Sequence, residues 1–235
     1  MEQYLTLWLE GPLQAWGYDS RFDIRRTLGF PTRSGLSGLL LAALGASGEQ
    51  CDLLGKLAEF PLTVYSFANE TTPVLEDFHM VGNGYGDSEW EKLMSPKTAD
   101  GKTPVGGGAK LTYRHFLVER HFAAVWKMPE EFAGKFSSAL QQPVFELYLG
   151  RKCCVPAEFI FQGIFDTETE ALAKLRELSE KKGLNVQWAY REVSLEEIDE
   201  DTLLLNDVPL RFGIHKIYRE RSVRKEPVCF ENHDE

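Results

Sequence analysis

Hydrophobic periodicity switches back and forth between two and about 3.6 residues along this chain, in an order that few folds accept. In YLTLWLE, Tyr4 to Glu10, Leu5, Leu7 and Leu9 face one way and Tyr4, Thr6 and Trp8 the other, as in a half-buried strand. Gly11-Pro12 stops it. Leu36, Leu39, Leu40, Ala43 and Leu44 then recur at i, i+3, i+4, i+7 and i+8, the buried stripe of a helix. Thr32 or Ser34 is its predicted N-cap and Gly45 its stop. Two further strands are predicted at PLTVYSFA and VLEDFHMV. AKLTYRHFLVERHFAAVWK predicts one long strand, or two joined by a bend near Glu119. PEEFAGKFSSALQQ predicts a helix with Pro129 in its first turn and Phe132, Phe136 and Leu140 inward. VFELYLG, FIFQGIF and VQWAYREV read as strands, and Thr167 to Lys182 as a helix ending before Gly183.

Leaving out the glycine-rich stretch from Gly82 to Gly108, the early order is βαββαβ, the split βαβ pattern. A loop that long inside a compact domain is usually functional or mobile. An open sheet face in this pattern is a common RNA platform, although the fold alone does not select that role.

The chain has 235 residues, 43% of them apolar, enough for one large domain or two small ones. Its net charge of −10 argues against a surface that binds nucleic acid everywhere. The charge is segregated, however. Glu70 to Glu91 and Glu192 to Asp201 each hold six acids and no base, whereas Arg211 to Lys225 holds six bases against Glu220 alone. Arg21 to Arg33 holds four bases against Asp23. The two basic tracts could meet as one patch. Leu36 to Ala46 is too short to span a bilayer, and no secretory leader is read before the first strand, so the expected location is cytoplasmic. Cys51, Cys153, Cys154 and Cys229 lack zinc-site spacing. Reduced thiols are expected, with no metal and no cofactor.

The mouth of the first helix offers free amides, the hydroxyls of Thr32 and Ser34 and the fork of Arg33, a set that suits one phosphate. The alternative is a plain helix cap beside an exposed arginine. Gln14 and Trp16 follow the first strand; the indole can stack on a base or pack into its own core. Arg21, Arg25 and Arg26 suit phosphate contacts. TYRHF, Thr112 to Phe116, raises a metal-independent ribonuclease, with His115 as acid or base. Strand alternation opposes it, because Lys110, Thr112 and Arg114 share one face and Leu111, Tyr113 and His115 the other. His79 and His121 are read as structural or interfacial.

Together, GPLQAWG, GFPTRSGLSGLLLAALG, DFH, TYRHFLV and LYLGRKCCVP resemble the CasD family, in order and over nearly the whole chain. These are the handle-binding subunits of Cascade, the type I-E CRISPR surveillance complex. The resemblance implies an α+β, modified ferredoxin-like/RNA-recognition-type fold. A β-rich thumb, approximately residues 74–113, is inserted in a domain spanning 1–149, and a smaller β-rich C-terminal portion covers 150–235. It implies a non-catalytic subunit that binds the 5′ handle of mature crRNA, caps the CasC backbone filament and contacts the large CasA subunit. Target DNA is reached only through the assembled complex, precursor cutting belongs to CasE, and no membrane is involved. Carried over by motif, Gln14, Trp16, Thr32, Arg33, Ser34, Asp77, Phe78, His79, Arg114, Gly150 and Arg151 are family positions. The expected RNA-binding set is Gln14, Trp16, Arg21, Arg25, Arg26, Thr32, Arg33, Ser34, His79, Arg114 and Arg151. Arg219 and Arg221 of the basic tail either complete the RNA groove or join CasA. The alternatives are a metal-independent precursor-crRNA endoribonuclease acting through His115, and a protein-only assembly cap.

Overall fold

In strand β1 (Glu2–Gln14) the alternation read from the sequence becomes two buried faces. The computed structural model describes residues 1–20, 23–67, 74–81, 98, 100–102 and 110–228. After β1 come the short strands β2 (Trp16–Gly17), β3 (Ile24–Arg25) and β4 (Thr27–Leu28), then helices α1 (Arg33–Leu44) and α2 (Cys51–Glu59). Strands β5 (Leu62–Phe67), β6 (Val74–Val81) and β7 (Lys110–Pro129) lead to helix α3 (Glu130–Gln141). Strand β8 (Phe161–Phe165), helix α4 (Glu168–Lys181) and strands β9 (Trp188–Val193), β10 (Thr202–Arg211) and β11 (Ile217–Pro227) complete the chain. The protein is a mixed α/β fold with a large sheet and, among the described residues, four α-helices.

Among the described residues the sheet has nine strands, ordered β10-β11-β9-β5-β7-β1-β8, with β3 and β6 also paired to β7. Its pairs are antiparallel except β3 with β7. Pairing of β8 with β1 and of β9 with β5 carries one sheet across the division expected near residue 150.

Leu5, Leu7, Leu9, Phe122 and Trp126 pack in one cluster with Leu36 and Leu40 of α1 and Phe136 of α3. On the opposite face Trp8, Tyr65, Phe67 and Val125 lie with Ala171 and Leu175 of α4. The sheet face expected to stay open as an RNA platform is therefore covered by the chain's own α4. Its aromatic rings are core, not stacking surface.

The long strand is one element of 20 residues, bent where Glu119 takes φ 49°. Beyond the bend it pairs with β6 as a hairpin. This hairpin holds residues 74–81 and 110–113 of the expected thumb; residues 82–97, 99 and 103–109 of that segment lie outside the described residues. VFELYLG is not a strand. Its Val144 and Phe145 amides donate to Ala43 O (3.0 Å) and to Ala42 O (3.2 Å), the latter shared with the Gly45 amide, so the end of α1 supplies acceptors outside the helix. Among the described residues no helix is long and apolar enough to cross a membrane.

Thr32 is the N-cap of α1, its Oγ1 accepting from the Gly35 amide at 3.2 Å. Thr32→Ala is expected to cost about 1 kcal/mol, visible as a lower urea midpoint with an unchanged slope.

Candidate nucleic-acid interface

The mouth of α1 does hold an anion, but a protein one. The Arg33 amide donates to Asp207 Oδ2 at 2.7 Å, placing a carboxylate where the helix field favours it. The Arg33 side chain is 1% exposed and ion-paired with Glu192. It also donates to the carbonyls of Leu57 and, at 2.6 Å, Phe60 at the end of α2, and its guanidinium lies 5.4 Å from the Trp126 ring centroid. Burial, opposed by Glu192, pulls this guanidinium below its ordinary pKa. Arg221 closes the network, donating to Asp207 Oδ1 at 2.6 Å, Asp207 Oδ2 at 2.8 Å and Glu192 Oε1 at 2.7 Å. Burial disfavours the Arg221 charge, yet Asp207 and Glu192 hold its pKa above the ordinary value.

The two basic tracts thus meet, but around buried Asp207 and half-buried Glu192. Thr32 and Arg33 are corrected from phosphate ligands to structural groups, because both side chains are shielded from solvent, the Thr32 hydroxyl caps the helix and both terminal nitrogens of Arg33 are taken by protein acceptors. Arg219 is engaged too, by Glu59 and Ala58 O, each at 3.0 Å. Sequence reasoning missed Asp207 and Glu192. Asp207 stands 174 residues from Arg33, so no local pattern links them.

Gln14 and Trp16 are corrected in the same way. Both are fully buried. Gln14 Nε2 donates to Leu9 O (3.0 Å) and Arg120 O (2.6 Å), and its Oε1 accepts from the Trp16 indole (3.0 Å). An indole with its N–H satisfied gains most from a dry core, and this one packs against Gly35.

A different basic group survives. Arg25 of β3 is the parallel partner of Arg114 in β7. Arg151 reaches across both strands, donating to Arg25 O at 2.8 Å and His115 O at 3.0 Å, with its guanidinium 4.6 Å from the Phe116 ring centroid. Burial, opposed by Cys154 and joined by the Arg114 and Arg25 charges, pulls the Arg151 pKa down. The described residues place no carboxylate within ion-pair distance of Arg114 or Arg151. The Arg114 and Arg25 charges both act on Arg151, and guanidiniums gathered in this way can hold an anion with several acceptor oxygens.

The remaining candidates lie around this group or beside the helix. Arg26 is exposed and 3.8 Å from Asp19. Ser34 is partly exposed, its Oγ 3.4 Å from Thr32 Oγ1. Arg21 lies outside the described residues. In the β6–β7 hairpin His79 pairs with Thr112 and Asp77 with Arg114 on one face, while Glu76 pairs with His115 and Phe78 with Tyr113 on the other. The His79 Nδ1 is buried without a hydrogen-bond partner. His115 Nε2 lies 2.7 Å from Glu76 Oε2. The alternation that separates His115 from Arg114 is therefore present as predicted.

The model of the family described as "CRISPR-associated protein (Cas_Cas5)" matches residues 4–224. The CRISPR system Cascade subunit CasD of Escherichia coli (strain K12) is 32% identical over 173 residues, covering 69% of this chain and 71% of that protein. A solved chain described as "CRISPR RNA-guided surveillance complex" superposes with a TM-score of 0.72 at 29% identity, covering 96% of this chain and 90% of that one. A second, described as a crystal structure of a Cas protein, gives a TM-score of 0.58 at 26% identity over 96% of this chain and 95% of that one. With the match spanning β1 through most of β11, this chain belongs to the Cas5 family of CRISPR-associated proteins.

Proposed function

We propose that this chain is the non-catalytic Cascade subunit that grips the 5′ handle of mature crRNA and caps the CasC filament in the bacterial cytoplasm. The observation that carries this reading is the convergence of Arg25, Arg114 and Arg151 on one site, where Arg151 bridges the strands that carry the other two. Handle phosphates lie against these guanidiniums, and the β6–β7 hairpin separates the handle from the guide. CasA docks nearby, and target DNA is read by the guide through base pairing. The unit β1-α1-β5-β7-α3-β8, with its strands ordered β5-β7-β1-β8, is read as the ferredoxin-like portion. β9, β10 and β11 are read as the C-terminal addition.

The test is co-expression with the neighbouring operon proteins and a CRISPR repeat. Arg114→Glu is expected to lower handle RNA affinity by about 10–100-fold, the worth of one or two charge-assisted hydrogen bonds, with thermal unfolding unchanged. Crosslinks from the handle to Arg25, Arg114 or Arg151 support the reading. An assembled complex with unaltered RNA occupancy in the variant refutes it and leaves a protein-only cap. His115→Ala is expected to leave precursor processing unchanged, since His115 faces away from the arginines and is held by Glu76. A precursor cut in the absence of CasE that disappears with His115→Ala would establish the nuclease alternative.

A further inference from the structure

A second polar cleft lies away from the arginine group. It encloses about 550 Å³ between the Gly17–Ser20 segment, the start of α1 and the β10–β11 hairpin, and Tyr18, Ser34, Asn206, Lys216 and Tyr218 line it. Its volume falls within the range of small-molecule sites. The charge around it is resolved group by group. Asp207, at its floor, is already bound by Arg221 and by the Arg33 amide. Asp19 lies 3.8 Å from Arg26.

Among the six bases from Arg211 to Lys225, five have partners inside the chain. Arg211 donates to His215 O, Arg219 to Glu59 and Arg221 to Asp207. Arg224 pairs with Asp199, and Lys225 lies over the Trp188 ring. Lys216 is exposed and has no hydrogen bond, ion pair or ring contact among the described residues. The one uncommitted cation of the tract therefore faces the cleft, beside two half-buried tyrosines, an exposed amide and a hydroxyl.

We propose that this cleft binds one nucleotide of single-stranded RNA, its phosphate on Lys216 and Ser34 and its base against Tyr18 and Tyr218. Asn206 supplies the donor and acceptor that read a base edge. Aromatic faces accept any base, and an ammonium holds the phosphate as a point charge. The proposal rests on the handle-binding reading above.

The experiment combines salt-dependent binding of a handle RNA oligonucleotide to the full chain with photocrosslinking in the co-expressed complex. Lys216→Gln is expected to reduce the slope of log K against log salt by about 0.7, the contribution of one phosphate contact to single-stranded nucleic acid. Tyr218→Leu, which keeps an apolar side chain, is expected to weaken binding about tenfold and to abolish crosslinks mapped to residues 18–20 and 216–218. If Arg114→Glu weakens binding while Lys216→Gln leaves the slope unchanged and no crosslink falls in the cleft, the cleft assignment fails and the handle reading stands. If neither variant changes binding, both fail. Loss of a protein subunit from the Lys216→Gln complex with RNA affinity intact would make the cleft a protein interface and overturn the proposal. Occupancy of the cleft by a 5′-nucleoside monophosphate without RNA crosslinks would do the same.

Discussion

Arg33→Met is expected to destabilise the folded chain by about 3–5 kcal/mol, the cost of removing one partner from a buried charge network. Methionine fills a similar stem volume but leaves Glu192 with Arg221 alone and takes the charged donor from the Leu57 and Phe60 carbonyls, which keep the Phe60 amide and the Trp126 indole. Arg33→Lys is expected to recover only part of the loss, since a single ammonium cannot serve a carboxylate and two carbonyls in different directions. Urea titration checks this, with the midpoint falling at constant slope. Adding Glu192→Gln to Arg33→Met is expected to restore some stability by removing a charge left short of partners. An Arg33 variant that loses RNA while keeping wild-type stability would contradict the structural role. RNA loss here is expected to follow loss of folded protein.

Gly150→Ala is expected to produce the other large effect. A Cβ at this position would lie 1.8 Å from the Ala15 carbonyl oxygen, and φ is 96°. Backbone occupies that space, so the loop itself must move. The strained conformation alone costs about 1–3 kcal/mol for an L side chain, and overpacking adds a similar amount. The same crossing is fastened by Ala15 N to Leu149 O at 3.0 Å and by Leu149 N to Cys154 O at 2.8 Å. Displacing it withdraws Arg151 from the carbonyls of Arg25 and His115. The expected result is therefore double: a fall in melting temperature of several degrees or more, and handle binding no better than that of Arg151→Ala. Wild-type affinity in a folded Gly150→Ala protein would show that Arg151 does not depend on this crossing.

Features set by neighbouring residues were legible in the sequence. The alternation of Leu5, Leu7 and Leu9 became a buried face, and Thr167 with Glu170 forms a full capping box on α4. Helix α2 was not read, because its nine residues carry too short a stripe to stand out. VFELYLG alternates like a strand, but its first amides are drawn to the end of α1. The helix mouth was recognised as an anion site from its local chemistry. The identity of the anion depended on Asp207, delivered by a strand far along the chain. Arg25, Arg114 and Arg151 came from charge and family motifs; their convergence follows from a parallel pair of strands and a crossing loop that spacing alone does not encode.

The network at the α1 mouth also orders events during synthesis. Arg33 leaves the ribosome well ahead of Glu192, 159 residues further along, and of Asp207, 174 residues further along. Until they arrive, sealing that guanidinium in a dry interior would strand a charge. The first helical layer must therefore stay solvated and revisable while the rest is translated, and closure over so long a sequence separation is slow. A prematurely terminated chain lacks the acids that finish the job, so it remains an open, protease-sensitive fragment in place of a defective cap.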